Sequence, residues 1–169
     1  MDVALAAGRH AAEAGAVSLA VVGFCYGGGR MIDVLAAAPS KAELVNEAME
    51  AGKRAGKTAK EIEDNLVLPT YVGGVSFYGT RINVDTLRTV QTPLKLFVAG
   101  NDALVSSEEV KAFEEVEEEL CQKGIFCEVR VFEGQPHGFA HHSTGPGVGD
   151  PEQRDDALQA AGDFLLALL

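Results

Sequence analysis

The sequence predicts an α/β fold, a mostly parallel sheet flanked by helices. Three observations predict it. Val17 to Val22 and Leu94 to Val98 are near-continuous apolar runs, as expected of parallel strands covered on both faces. Each run stops at a turn containing glycine: Gly23-Phe24-Cys25-Tyr26-Gly27 after the first, Gly100-Asn101-Asp102 after the second. Strand-like and helix-like segments then follow in the order strand, helix, insertion, strand, strand, helix, strand, loop, helix.

Taken along the chain, Asp2 to Ala14 reads as a short helix, and Val17 to Val22 as the first strand. A helix from about Gly28 to Ala38 stops at Pro39, because the residue before proline is steered out of the helical region. Residues 40–68 read as a helical insertion. Ser40 with Glu43, and Thr58 with Glu61, have capping-box spacing, and Gly52 and Gly56 are expected to break the pair. Alternating charge at Lys60-Glu61-Ile62-Glu63-Asp64 marks a solvated face, so the insertion reads either as decoration or as a lid. Val72 to Gly79 is the next strand, and Leu94 begins another. Ser106 and Glu109 open a helix with capping-box spacing, and its Val110, Phe113 and Val116 form an apolar stripe. Cys127 to Phe132 is the last strand, leading into the loop Glu133 to Phe139. After a Gly145 to Gly149 loop, the final helix begins near Asp150-Pro151-Glu152, with proline in the first turn. Phe164 to Leu169 is expected to be its buried end.

The segment Val21 to Gly29 carries the chemistry. A strand followed by Gly-x-Cys-x-Gly and a helix is the pattern of a nucleophile elbow, in which a tight turn lifts the nucleophile above the sheet edge. Gly23 and Gly27 are expected to let two backbone segments pass closely. Cys25 would stand at a helix N-terminus, where the dipole favours thiolate. A buried structural cysteine beside an ordinary turn is the alternative. Downstream, Asp102 follows one strand and His137 lies just past another, in the order nucleophile, acid, histidine. Taken alone, Asp102 reads more readily as a turn aspartate, and His137 equally well as a loop histidine. Together they fit three groups on strand-end loops at one sheet edge: Cys25 attacks, His137 takes its proton and Asp102 fixes the imidazole tautomer.

These residues resemble the dienelactone hydrolase (carboxymethylenebutenolidase) family, a branch of the α/β-hydrolases. The matching pieces are Gly23-Phe24-Cys25-Tyr26-Gly27-Gly28, Ala99 to Val105, and His137-Gly138-Phe139-Ala140. The resemblance implies a Cys25–His137–Asp102 triad that cleaves an activated ester or enol-lactone through a thioester acyl-enzyme, without a cofactor. It further implies substrate contacts at Tyr26, Tyr78, Phe139 and His141, with the Tyr26 amide as an oxyanion donor, while Tyr78 reads alternatively as a core residue. Family members commonly carry arginine four or five residues beyond the histidine, to hold a substrate carboxylate. Here those positions are His141 and His142, so the substrate is expected to be less anionic, or another base such as Arg154 serves. The resemblance also implies several strands before the first one here. The chain therefore reads as one incomplete α/β-hydrolase domain over 1–169, the C-terminal half of the fold. Its strand at 17–22 would form an exposed edge able to pair with another chain.

Composition narrows the partners. There are 25 acidic against 14 basic side chains, a formal net charge of −11, which disfavours nucleic acid and anionic membrane surfaces and leaves any anionic substrate dependent on a local basic patch. No run reaches the ~20 apolar residues of a membrane-spanning helix. Three cysteines without framework spacing suit a reducing compartment, and the expected location is cytoplasmic. His137, His141 and His142 invite a metal reading, but the glycine-rich loop around them and the lack of a supporting ligand argue against one. The expected partner is a small ester or lactone. Two alternatives stand beside it. One is a catalytically silent binding domain. The other is a class I glutamine amidotransferase, disfavoured because Gly138 and Phe139 follow His137 where that class has His-x-Glu.

Overall fold

The computed structural model describes residues 6–8, 10–11, 14–39, 41–63, 70–141 and 149–169. Four strands, β1 (Ser18–Phe24), β2 (Thr70–Phe77), β3 (Leu94–Asn101) and β4 (Cys127–Pro136), form one sheet in the order β1-β2-β3-β4. Every neighbouring pair is parallel. Between and after them come α1 (Tyr26–Ala37), α2 (Lys41–Arg54), α3 (Ala59–Glu63), α4 (Val84–Leu87), α5 (Ser107–Gln122) and α6 (Pro151–Leu168).

The strand period of two divides the core into two layers. On one face, Leu94, Leu96 and Val98 of β3 pack against Met31, Ile32 and Leu35 of α1 and Phe113, Val116 and Leu120 of α5. On the other, Val75, Phe77, Phe97, Ala99 and Phe132 pack against Ala157 and Ala161 of α6. Both faces are covered, which is why the β3 sequence shows no polar alternation. Each large apolar side chain so buried is worth about 1.5–3 kcal/mol relative to exposure.

The local signals are satisfied as the side chains dictate. Ser106 and Glu109 form both halves of a capping box at the start of α5, and Asp150 caps α6 by accepting from the Glu152 N–H at 2.9 Å, with Pro151 in the first turn. Thr58 and Glu61 cap α3 reciprocally, the Thr58 N–H donating to Glu61 at 2.8 Å. Ser40, the partner expected for Glu43, lies outside the described residues, as do His142 and most of the 145–149 loop. Gly52 departs from expectation. It does not break a helix but sits inside α2, where an added Cβ would lie 2.4 Å from Ile62; it is the point at which α2 and α3 touch. Gly56, at φ +74°, makes the turn between them.

β1 and β4 are the two edges of this sheet. Val17 and Val22 are 72% and 41% exposed, so the edge expected at 17–22 is open among the described residues. Among the described residues no helix is long and apolar enough to cross a membrane.

Candidate active site

Because all four strands run in parallel, their C-terminal ends share one rim, and the three candidate reactive residues each follow a strand there. Cys25 comes immediately after β1, with φ 53° and ψ −124°, in the left-handed region that non-glycine residues avoid. Such a conformation costs of order 1–3 kcal/mol and persists only where its surroundings impose it. Here the Cys25 N–H donates to the Phe77 carbonyl at 3.0 Å. The Cys25 carbonyl accepts from both Gly28 and Thr80 at 3.0 Å. Gly23 makes room for the turn: a Cβ there would lie 2.3 Å from the Gly27 carbonyl oxygen. The same is not true of Gly27, where an added Cβ meets nothing within 4 Å. Only one of the two glycines expected to permit the close approach is required, because β1 and the start of α1 meet over residue 23.

α1 begins at Tyr26, directly after Cys25, rather than two residues later as its sequence suggests. The Tyr26 N–H is therefore in the first helical turn, among the donors the helix itself leaves without an acceptor. The thiol stands at the positive end of the helix dipole, with no acidic residue in the first turn to oppose it.

The β3–β4 register brings the other two residues together. Ala99 pairs with Phe132, and Asn101 with Pro136, so β4 carries two extra residues over this stretch. After that irregularity the next residue on β3 is Asp102 and the next on β4 is His137. His137 Nδ1 lies 2.7 Å from Asp102 Oδ2. Asp102 Oδ1 accepts from the Leu104 N–H at 2.9 Å, and the carboxylate is 1% exposed. Nδ1 is thus the protonated nitrogen of the neutral ring, and Nε2 is left to act as acceptor. Gln135, wholly buried, donates from Nε2 to the Asp150 carbonyl at 2.9 Å and ties this strand end to the start of α6.

Among the described residues the Cys25 thiol has no hydrogen-bond partner, and neither does Nε2 of His137. The sulfur packs into the same cluster as Tyr78, whose ring meets that of His137 edge-on at 5.0 Å. Burial, and then the neighbouring Cys25, hold the Tyr78 phenol above the ordinary tyrosine range.

The expected substrate contacts divide. Tyr26 is 52% exposed and lines a cavity of about 390 Å³ with Cys25, Thr80, Arg81 and Leu104. Tyr78 and Phe139 are 1% and 2% exposed and lie in the core beneath the site, packed ring edge to ring face at 5.6 Å. His141 is bound to the Tyr78 hydroxyl and lies 4.7 Å from the Phe24 ring, centroid to centroid. None of these three lines that cavity. Arg154 is on α6, bonded to Asp155 at 2.7 Å, and does not line it either. Arg81 does line it, and sequence reasoning missed it. Its guanidinium lies 5.9 Å from the Tyr26 ring centroid and, among the described residues, has no carboxylate partner. The available signal was its place, three residues beyond Tyr78 on a strand-end turn.

Among the described residues no group of three or more histidine, cysteine, aspartate or glutamate side chains is arranged to hold a metal ion.

Comparison with known proteins agrees with this architecture. The family model for the dienelactone hydrolase family matches residues 56–169, a span that holds Asp102 and His137 but begins after Cys25. No curated protein matches the chain by sequence. Among solved structures, the dienelactone hydrolase-like promiscuous phosphotriesterase P91 from metagenomic libraries is similar at TM-score 0.53 and 18% identity, covering 88% of this chain and 52% of its own. A structure named m3DLH is similar at TM-score 0.57 and 16% identity, covering 97% and 62%. Thermogutta terrifontis esterase 2 phosphorylated by paraoxon is similar at 0.52 and 18%, covering 88% and 53%. The chain therefore spans between half and two thirds of the length of these proteins, and at such identities the likeness is one of fold. The parallel sheet with helices on both faces and the family match over more than half the chain lead to one conclusion: the chain belongs to the dienelactone hydrolase family of α/β-hydrolases.

Proposed function

We propose that this chain carries the reacting groups of a hydrolase that cleaves an activated ester or enol-lactone through a thioester on Cys25. The observation that carries the reading is the hydrogen bond from His137 to the buried Asp102 carboxylate, on the rim that also bears Cys25 in a strained elbow. Cys25 attacks the substrate carbonyl, and His137 Nε2 takes the thiol proton. Asp102 holds Nδ1–H and stabilises the imidazolium. The oxyanion of the tetrahedral intermediate accepts from the Tyr26 N–H. Collapse expels the alkoxide or enolate, which takes the proton back from His137. A water, deprotonated by the same imidazole, then attacks the thioester and frees the thiol. A single oxyanion donor is identified on this chain, and each donor of this kind is worth roughly a hundredfold or more in rate.

The cavity beside Cys25 suggests what is bound. Leu104 and the Tyr26 ring offer apolar surface, Thr80 a hydroxyl and Arg81 a cation without a carboxylate partner among the described residues. On a chain with net charge −11, Arg81 supplies the local basic group that an anionic substituent needs. This fits a small acyl substrate bearing a carboxylate or similar anion, and it moves the expected cation from Arg154 to Arg81.

One observation favours a second reading, a binding domain without turnover: the thiol has no hydrogen-bond partner among the described residues. Catalytic hydrogen bonds are often long in the absence of substrate and tighten when it binds. Hydrolysis of p-nitrophenyl acetate by the wild-type chain beside Cys25→Ala separates the two. The hydrolase reading expects the wild type to be at least a hundredfold faster and to accumulate an acyl-enzyme one acetyl group heavier at Cys25. Equal rates with no adduct leave the binding domain.

A further inference from the structure

We propose that Tyr78 is a positioning residue that holds His137 in register with Cys25 by gripping both ends of the 137–141 loop. The inference rests on the hydrolase reading for its kinetic consequence, but not for its geometry.

Tyr78 is the first residue after β2, and its φ of 38° places a bulky side chain in the left-handed region. That conformation costs an L-residue roughly 1–2 kcal/mol. The Tyr78 N–H is anchored to the Phe97 carbonyl at 2.7 Å, so the turn is held by the neighbouring strand. The bend puts the ring, 1% exposed, on the same face as that of Phe77, where a regular strand would place the two on opposite faces.

From there the ring meets the loop twice. Its edge lies against His137 with centroids 5.0 Å apart and planes at 65°, the edge-to-face arrangement that aromatic quadrupoles favour. Its hydroxyl bonds to Nδ1 of His141, four residues on. The phenol keeps its proton at neutral pH, so it is the donor and Nδ1 of His141 the acceptor. Between the two contacts the chain turns through Gly138 at φ 82°, and the His141 N–H closes on the Gly138 carbonyl at 2.9 Å. Asp102 fixes one atom of the His137 ring, which leaves rotation about that hydrogen bond unconstrained. Tyr78 supplies the second constraint. It also packs in the same cluster as Cys25, so one side chain references both partners of the proton transfer.

His141 is thereby assigned a role other than contact with substrate: it is the anchor for the phenol. A displacement of about 1 Å in a reacting group can cost on the order of a hundredfold in rate. Releasing the loop should therefore lower kcat rather than substrate affinity.

The test compares wild type, Tyr78→Phe, His141→Leu, His141→Gln and the double variant Tyr78→Phe/His141→Leu. Steady-state hydrolysis of p-nitrophenyl acetate is read beside the ¹³C-edited NMR signal of the His137 ring. Tyr78→Phe keeps the ring and removes only the hydroxyl. The expected result is a kcat at least tenfold lower with KM within twofold, and a His137 resonance that broadens or splits. His141→Leu should do the same, and the double variant should be no worse than either single one. His141→Gln, whose amide oxygen can accept from the phenol, should restore most of the rate. A Tyr78→Phe variant with wild-type kcat and an unchanged, sharp His137 signal would overturn the proposal. So would single losses that multiply in the double variant. If the wild type proves no faster than Cys25→Ala, the hydrolase reading falls, and the NMR comparison still decides whether Tyr78 holds His137.

Discussion

Gly23 and Gly27 bracket the elbow symmetrically in sequence, yet they should respond differently to the same methyl group. In Gly23→Ala the new Cβ would lie 2.3 Å from the Gly27 carbonyl oxygen, 2.6 Å from the Gly27 carbonyl carbon and 2.8 Å from the Gly28 Cα. All three are backbone atoms at the start of α1, so no rotamer change relieves the contact. β1 and α1 must separate by something close to an ångström, and α1 is the helix that buries Met31, Ile32 and Leu35. Overpacking of a core costs about 1–3 kcal/mol where side chains can adjust, and a backbone clash belongs at or above the top of that range. For a chain of this length each kcal/mol moves the thermal midpoint by roughly 2–4 °C, so a fall of about 6–12 °C is expected. In Gly27→Ala the methyl meets nothing within 4 Å, and residue 27 is the second residue of α1. Alanine is better than glycine in a helix interior by about 0.8–1 kcal/mol, an upper bound for the first turn, so this midpoint should hold or rise by up to roughly 2–4 °C. Differential scanning calorimetry of the two variants beside wild type reads both shifts. A Gly23→Ala chain as stable as wild type, or a Gly27→Ala chain as damaged as Gly23→Ala, would refute the argument that the turn is built over residue 23 alone.

Two further predictions concern charge. Arg81→Gln should raise KM for a carboxylate-bearing ester about tenfold or more while leaving a neutral ester of the same acyl length within twofold, since a hydrogen bond to a charged group contributes about 1.5–3 kcal/mol; equal effects on the two substrates would remove Arg81 as the anion receptor. Burial, and then Glu117 and Glu128, push the Cys127 thiol up to about 12, so its thiolate stays scarce at pH 8, where a thiol of ordinary pKa is already reactive. Mass-mapped iodoacetamide labelling at pH 8 should modify the exposed Cys121 well before Cys127, and labelling of the two at comparable rates would contradict that environment.

Much of the rim was legible in the sequence because its signals are local. An apolar run followed by Gly-x-Cys-x-Gly reports a strand, a turn and a helix within nine residues. The capping pairs Ser106/Glu109 and Thr58/Glu61 report helix starts within four. What escaped was whatever depends on distant backbone. Gly52 carries the same letter as a helix breaker, but its meaning comes from Ile62 filling the space where its side chain would be. Contact of Tyr78 and Phe139 with substrate is implied by the family resemblance, not by any local pattern. The positive φ at Tyr78 puts its ring on the same face as Phe77, and the turn after Pro136 brings Phe139 into that same cluster, so both are core. Arg81 was marked only by its place on the turn after β2; its proximity to the thiol follows from the Thr80 N–H bonding to the Cys25 carbonyl, a tie between turns fifty-five residues apart.

The pairing of Asp102 with His137 shows why order in sequence was a sound guide and spacing was not. Parallel strands place successive C-terminal ends side by side, so a carboxylate just past β3 and an imidazole just past β4 are neighbours by topology. Their residue numbers do not enter. Topology alone leaves them a register step apart, however, because Ala99 pairs with Phe132 while Asp102 is three residues on and His137 five. The two extra residues of β4, with Gly134 at φ 72°, absorb that difference and return the strand to pair Pro136 with Asn101. The irregularity in β4 is therefore part of what builds the candidate site: without it the residue beside Asp102 would be Gln135, and the carboxylate would be buried at 1% exposure with no imidazole to receive it.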